Sequence, residues 1–339
     1  MQKVTVSHAE AGRRLDNYLI KALPGGGLSF VHKMLRKKNI TVNGRKCEGN
    51  YRLAEGDEIC MFFSDETYAK LIKGDRDSYD GNDRIYDKAF ASLHGIGIVY
   101  EDDDFVFIDK PAGILSQQST STDLSANEWL VGYLLNKGVI TTSSLKTFKP
   151  AFANRLDRNT SGLMLGGRSL KALQLLSEML RGRELHKYYL CLAMGLPDEK
   201  LAVTEDGYRD IYAYLIKDRE RNEVTVCTEG SEVKAKNAAR IHTGFRLIKR
   251  YDEPETDPYM LLEVELHTGK SHQIRAQLAA LGHPIIGDPK YGSGHTGQCL
   301  HAYRVVFPEL PDWPAISGRE FRTDGYKEEQ YAEDFFGRR

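Results

Sequence analysis

The 339-residue chain has no apolar run approaching the roughly 18 residues that a membrane span requires, so no spanning helix and no membrane partner are expected. Its opening, Met1-Gln2-Lys3-Val4-Thr5-Val6-Ser7, lacks the apolar core of a signal peptide, which makes the cytoplasm the expected compartment. Cysteine is scarce and scattered. Cys47, Cys60, Cys191, Cys227 and Cys299 are odd in number and form no Cys-x-x-Cys pair, which argues against a disulfide framework and a zinc ribbon. His267, His272, His283 and His301 with Cys299 match no tetrahedral ligand spacing, so no metal is expected. A complete phosphate loop ending in Gly-Lys-Ser/Thr is also missing, which leaves nucleotide hydrolysis unsupported.

What is present describes a soluble globular protein: 41% hydrophobic and 28% charged residues. The length exceeds what one ordinary core holds, which predicts two domains. A net charge of −1 conceals an uneven distribution. Residues 11–53 hold ten Lys/Arg against Asp16 and Glu48, a balance of +8, whereas residues 54–109 hold fifteen Asp/Glu against five Lys/Arg, a balance of −10. A compact basic module beside an acidic stretch suits a molecule that meets a polyanion with one face.

Within that module, Leu15, Tyr18 and Leu19 start a helical pattern that Pro24-Gly25-Gly26-Gly27 breaks. A second helix is expected from Ser29, a good N-cap, with Val31, Met34 and Leu35 on its packed side and Lys33, Arg36 and Lys37 free to bind. Ile40-Thr41-Val42 reads as a strand, Asn43-Gly44 as a tight turn, and Arg45 sits at the turn's tip. Residues 64–90 are polar and aperiodic and read as a flexible linker. Beyond it come two strands around the acidic turn Glu101 to Asp104, a helix over 168–183, and then mostly strands separated by turns. The acidic tail beyond 320 reads either as loosely ordered or as a docked helix.

Arg-Leu-Asp occurs twice, at 14–16 and at 155–157. Asp16 opens a helical pattern and reads as a helix-start or packing residue. Asp157 stands in Asn154-Arg155-Leu156-Asp157-Arg158-Asn159-Thr160-Ser161-Gly162, a polar, glycine-containing loop ahead of apolar Leu163-Met164-Leu165. These residues suit an active-site carboxylate and a salt-bridged loop acid equally well.

The balance shifts with Leu266-His267-Thr268-Gly269-Lys270-Ser271-His272-Gln273-Ile274-Arg275 and its continuation through Gly287-Asp288 to Tyr291-Gly292. With Asn154 to Leu165, Lys110-Pro111-Ala112-Gly113, Lys187-Tyr188-Tyr189-Leu190 and Leu300-His301-Ala302, this segment resembles the RluA-type pseudouridine synthases, block by block and in order. The resemblance covers most of residues 96–307. It implies that Asp157 is the catalytic aspartate, that Tyr189 stacks on the target base, that Arg275 pairs with the aspartate, and that Arg155 lies near a flipped nucleotide. Lys187 and Gln273 are implied to be supporting. Asn154 stands where that family more often has His, and Lys270 where it has Arg. Residues 10–63 resemble the small RNA-binding domain named after ribosomal protein S-four.

The chemistry agrees with this inventory. Making pseudouridine means breaking the bond from a base nitrogen to ribose, turning the base and rejoining it through a ring carbon. One carboxylate suffices, by attack on the sugar carbon or by removal of a sugar proton. No second carboxylate, metal or other cofactor is required. A tyrosine gives a withdrawn base a flat surface.

The expected fold is α+β: a small helix/strand RNA-binding domain over 1–63, a linker over 64–90, and a catalytic domain over 91–320. The catalytic domain is expected to rest on a mixed, mainly antiparallel sheet with flanking helices, ahead of a tail over 321–339. The expected activity is isomerisation of uridine in structured RNA, ribosomal rather than transfer RNA by resemblance, by a monomer. The alternatives are a non-catalytic RNA-binding or ribosome-assembly protein on the same fold and a base-exchanging enzyme.

Overall fold

The computed structural model describes residues 1–72, 83–218, 223–228, 238–252, 257–292, 294 and 297–323. The chain begins with β1 (Gln2–Thr5), α1 (Leu15–Ala22), α2 (Gly27–Arg36), β2 (Ile40–Val42), β3 (Glu58–Met61) and α3 (Asp65–Ile72). The three strands form an antiparallel sheet in the order β1-β3-β2. Leu15, Leu19, Val31, Leu35, Ile40 and Ile59 are buried between it and the helices. On α2 the apolar stripe packs inward, and Lys33, Arg36 and Lys37 are exposed, as the spacing requires. The helix starts two residues before Ser29, because Gly27 at φ 63° lets the chain turn directly into it. Asn43 and Gly44 both have positive φ and close a two-residue turn through paired Val42 and Arg45 hydrogen bonds of 2.9 and 3.0 Å. Arg45 is exposed at its end.

Residues 64–90 do not read through as a linker. Leu71 of α3 is buried in the small core, and the Gly25 amide donates to the Leu71 carbonyl at 2.9 Å. The second half of the segment enters α4 (Asp83–Ser92), which packs on a later helix through Tyr86 and Ala89. The dense Asp, Arg and Lys residues had masked an Ile85, Tyr86, Ala89, Phe90 stripe at helical spacing. Only 73–82 remain for a linker, and these lie outside the described residues.

The larger body adds β4 (Gly97–Glu101), β5 (Phe105–Lys110), α5 (Ala126–Asn136), β6 (Ala151–Phe152), β7 (Ser161–Gly167), α6 (Leu170–Gly182) and β8 (His186–Met194). It continues with β9 (Arg209–Asp218), β10 (Glu223–Thr228), β11 (Ala239–Tyr251), β12 (Tyr259–Leu266), α7 (Gln273–Ala280), β13 (Leu300–Val306) and β14 (Glu320–Arg322). The sheet runs β10-β9-β11-β12-β8-β13-β7-β5-β4, with β14 on β13 and β6 on β7. Among the described residues every strand pairing of this sheet is antiparallel except β13 with β7. Two-residue alternation sends Val106 and Ile108 of β5 into one core, and Phe105 and Phe107 into another beneath α6. Because Phe321 of β14 is buried in that second core, the sheet extends to Arg322 and the tail begins later than 321. Residues 324–339 lie outside the described residues.

The small module touches the larger body at several polar points. The Thr147 carbonyl takes a hydrogen bond from Arg13 and the Thr147 hydroxyl gives one to Glu10, and His8 meets Asp104 at 3.0 Å. Among the described residues no helix is long and apolar enough to cross a membrane.

Candidate active site

The loop between β6 and β7 carries Asp157, and its shape is fixed from three sides. Asn154 bonds the β7 backbone twice, donating to the Leu163 carbonyl at 3.1 Å and accepting from the Leu165 amide at 2.8 Å. Ser116 donates to the Leu156 carbonyl at 2.7 Å and accepts from the Leu156 amide at 3.0 Å. Lys110 is fully buried and donates to the carbonyls of Pro111, Ile114 and Arg158 at 2.9 to 3.2 Å. Burial pulls its pKa down to about 8, against the opposing charges of Asp109 and Asp157. At the loop's exit Gly162 has φ +115°, and a Cβ there would lie 2.2 Å from the Ala302 carbonyl oxygen. Only glycine lets β7 lie this close to β13.

Asp157 lies within reach of a cleft of about 860 Å³ that Arg155, Arg158, Lys187, Tyr189, Lys270 and Arg275 also line. Arg275, in the first turns of α7, donates from Nη1 to Asp157 Oδ2 at 2.7 Å. Its other edge is clamped by Asp288, Nε to Oδ2 at 2.7 Å and Nη2 to Oδ1 at 2.9 Å. Asp288 is fully buried and also accepts from the amides of Lys290 and Tyr291. Burial opposes the guanidinium charge, but Asp288 and then Asp157 outweigh it and raise the Arg275 pKa. The two carboxylates are therefore unequal. Asp288 spends its capacity on holding the arginine, whereas Asp157 is 28% exposed and has no other hydrogen bond to its side chain among the described residues.

Tyr189 on β8 is buried, in register with Val264 on one side and Ala302 on the other. Burial, and after it the Asp157 charge, push its phenol well above the ordinary range, so it stays protonated. His272 caps α7 in the left-handed conformation at φ 57°, with Nε2 3.9 Å from Asp157 Oδ2 and Nδ1 2.8 Å from the Tyr291 hydroxyl. Gln273 is buried, donates to Thr243 Oγ1 at 2.9 Å and accepts from Thr268 Oγ1 at 2.9 Å, which builds the turn into α7.

The structure thus brings Asp157, Tyr189, Arg275 and Arg155 into one cleft, while Lys33, Arg36, Lys37 and Arg45 lie apart on the small module. Sequence reasoning left Asp288 without a role, although it stands in the Gly287-Asp288 block. A second carboxylate opposite an arginine was the available signal.

The family whose model matches is RNA pseudouridylate synthase, over residues 104–280. The chain is 30% identical over 339 residues to an uncharacterized RNA pseudouridine synthase of Mycoplasma pneumoniae, covering 95% of this chain and 94% of that one. It is 28% identical over 297 residues to ribosomal large subunit pseudouridine synthase C of Yersinia pestis, covering 86% and 80%. The fold is also that of human RNA pseudouridylate synthase domain containing 4, at TM-score 0.52 and 19% identity over 76% of this chain and 96% of that one. The chain belongs to the RNA pseudouridylate synthase family, and within it to the RluA-type enzymes that its sequence resembles.

Proposed function

We propose that this enzyme converts uridine to pseudouridine in structured RNA with Asp157 as its catalytic carboxylate and without a cofactor. The observation that carries the reading is the asymmetry around Arg275. Asp288 fixes the guanidinium, and the guanidinium in turn holds Asp157 by one oxygen only. The other oxygen is left to attack the sugar carbon or to take a sugar proton. In either course the base nitrogen leaves with the bonding electrons and the base turns. A ring carbon then bonds to the sugar as Asp157 either leaves the sugar carbon it attacked or returns the sugar proton it took, and the ring carbon's own proton is lost as the nitrogen regains one. Tyr189 supplies the buried flat surface for the withdrawn base. Arg155, exposed at the mouth of the cleft, is suited to the flanking phosphate or to the gap that the base leaves.

The substrate that fits best is ribosomal RNA, a reading supported by relatives named as ribosomal large subunit pseudouridine synthases, and a cytoplasmic enzyme suits that substrate. One chain carries every group of the proposed site, so a monomer suffices. Residues 1–63 act as an S-four-like RNA-binding domain in which Lys33, Arg36, Lys37 and Arg45 contact phosphates. Replacing Lys33, Arg36 and Lys37 together with alanine should weaken RNA binding and flatten its salt dependence by roughly two to three charges. An unchanged salt slope would remove the module from the account.

The decisive experiment maps pseudouridine in the RNA of a strain lacking the gene, complemented with wild type or Asp157→Asn. Restoration at defined ribosomal RNA positions by wild type alone is expected. Restoration by Asp157→Asn would overturn the catalytic assignment.

A further inference from the structure

A second cluster of chemistry-bearing side chains lies on the sheet, formed by residues outside the active-site cleft. Asp210 stands on β9, His242 on β11 and His267 one residue past β12. Their distances in sequence match no ligand motif. Sheet register brings them together: Gly244 of β11 is opposite Asp210 on one side and Glu265 on the other, so residues two apart on neighbouring strands share a face. His242 Nε2 is 2.7 Å from Asp210 Oδ1, and His267 Nε2 is 3.6 Å from the same oxygen. One donor atom from each of the three residues lies within 4.8 Å of the other two.

We propose that Asp210, His242 and His267 form a binding site for a divalent transition metal ion of the zinc class. Two imidazoles and one carboxylate are the donor set that such ions take, with a water or a further carboxylate in the fourth position. Glu265 is placed for that position or for support, its Oε2 3.8 Å from His267 Nε2 and its Oε1 2.8 Å from His186 Nδ1. A tetrahedral ion with bonds of about 2.0 to 2.1 Å separates its donors by roughly 3.3 Å, so the 2.7 Å His242 to Asp210 contact has to lengthen and the 3.6 Å His267 to Asp210 separation has to shorten slightly. The two imidazole rings stack at 3.9 Å with 13° between their planes. A metal lies in the plane of each imidazole that binds it, so binding tilts the rings apart and replaces the His242 to Asp210 hydrogen bond. Asp210 is exposed and both histidines are half-buried; His242 also stacks on the exposed Tyr212 ring at 4.2 Å, so Tyr212 has to move with it.

The placement gives the ion a structural role. Thr268 follows His267, and its hydroxyl accepts from the His242 amide at 2.9 Å. The chain then runs through Lys270 to His272 and Arg275 in the cleft. An ion at His242 and His267 braces β11 against the start of the loop that delivers Arg275 to Asp157.

The test is calorimetric titration of zinc chloride into the chelator-stripped full chain, with cobalt chloride as a second probe whose visible absorption reports tetrahedral coordination. One zinc ion per chain is expected. His242→Ala, His267→Ala and Asp210→Asn should each weaken it at least tenfold, and exposed His94→Ala should leave it unchanged. Circular dichroism checks each fold. If an alanine variant unfolds, His242→Gln or His267→Gln takes its place. Wild-type binding no tighter than that of the histidine variants, or binding lost in His94→Ala, overturns the site.

Discussion

The same tripeptide, Arg-Leu-Asp, is built into this molecule twice with opposite results. At 14–16 the arginine serves its own neighbour. Arg14 donates to Asp16 at 2.7 and 3.2 Å, the Asn17 amide adds a third bond at 2.7 Å, and the aspartate is 3% exposed at the start of α1. At 155–157 the local arginine is exposed, and the aspartate is held from 118 residues away by Arg275. The first carboxylate is used up by local structure. The second is left half-open in a basic cleft. Reactivity depends on which groups a fold leaves unsatisfied and where, and a short motif does not encode that.

Exchanging the two acids is the sharpest way to break the comparison. Asp157→Asn should lower pseudouridine formation at least about a thousandfold while leaving thermal stability within a few degrees. Comparable activity in that variant would make the two sites equivalent. Arg275→Lys comes next, because one ammonium cannot serve two carboxylates and the buried Asp288 loses its two-point partner. A loss of about 3 to 5 kcal/mol in urea unfolding is expected, together with a drop in turnover. Asp16→Asn should cost about 1 to 3 kcal/mol and leave the activity of the folded fraction unchanged.

The smallest effect is one of pH. The Arg14 hydrogen bond holds the Asp16 carboxyl below the usual carboxylate range. A depressed folded-state pKa stabilises fully above the unfolded value near ~4, and the contribution fades as pH falls through the folded value. The stability gap between wild type and Asp16→Asn should therefore be widest at neutral pH and close on acidification below about pH 4. A gap that widens in acid would show that Arg14 does not hold Asp16.

Much of the small module was legible locally. The α2 stripe, the Asn43-Gly44 turn and the exposure of Lys33, Arg36 and Lys37 follow from 3.6-residue spacing and turn chemistry. The segment 64–90 was misread because charge density hid the apolar positions of α3 and α4, whose burial comes from partners far along the chain. In the larger body, the resemblance of five separated blocks indicated Asp157, Tyr189 and Arg275. It gave no role to Asp288, which only becomes the anchor of Arg275 once α7 is folded against the turn that follows it.

By itself the sequence determined the charge asymmetry, the helix and strand periods, the family, and the identity of the carboxylate worth testing. Those properties are local or additive along the chain. Only the tertiary structure decided that Arg275 is shared unequally between Asp288 and Asp157, that Gly162 lets β7 lie against β13, and that Asp210, His242 and His267 share one face. These are matters of a few ångströms between residues tens to more than a hundred positions apart, and strand register and packing, which the chain spells out nowhere locally, set them.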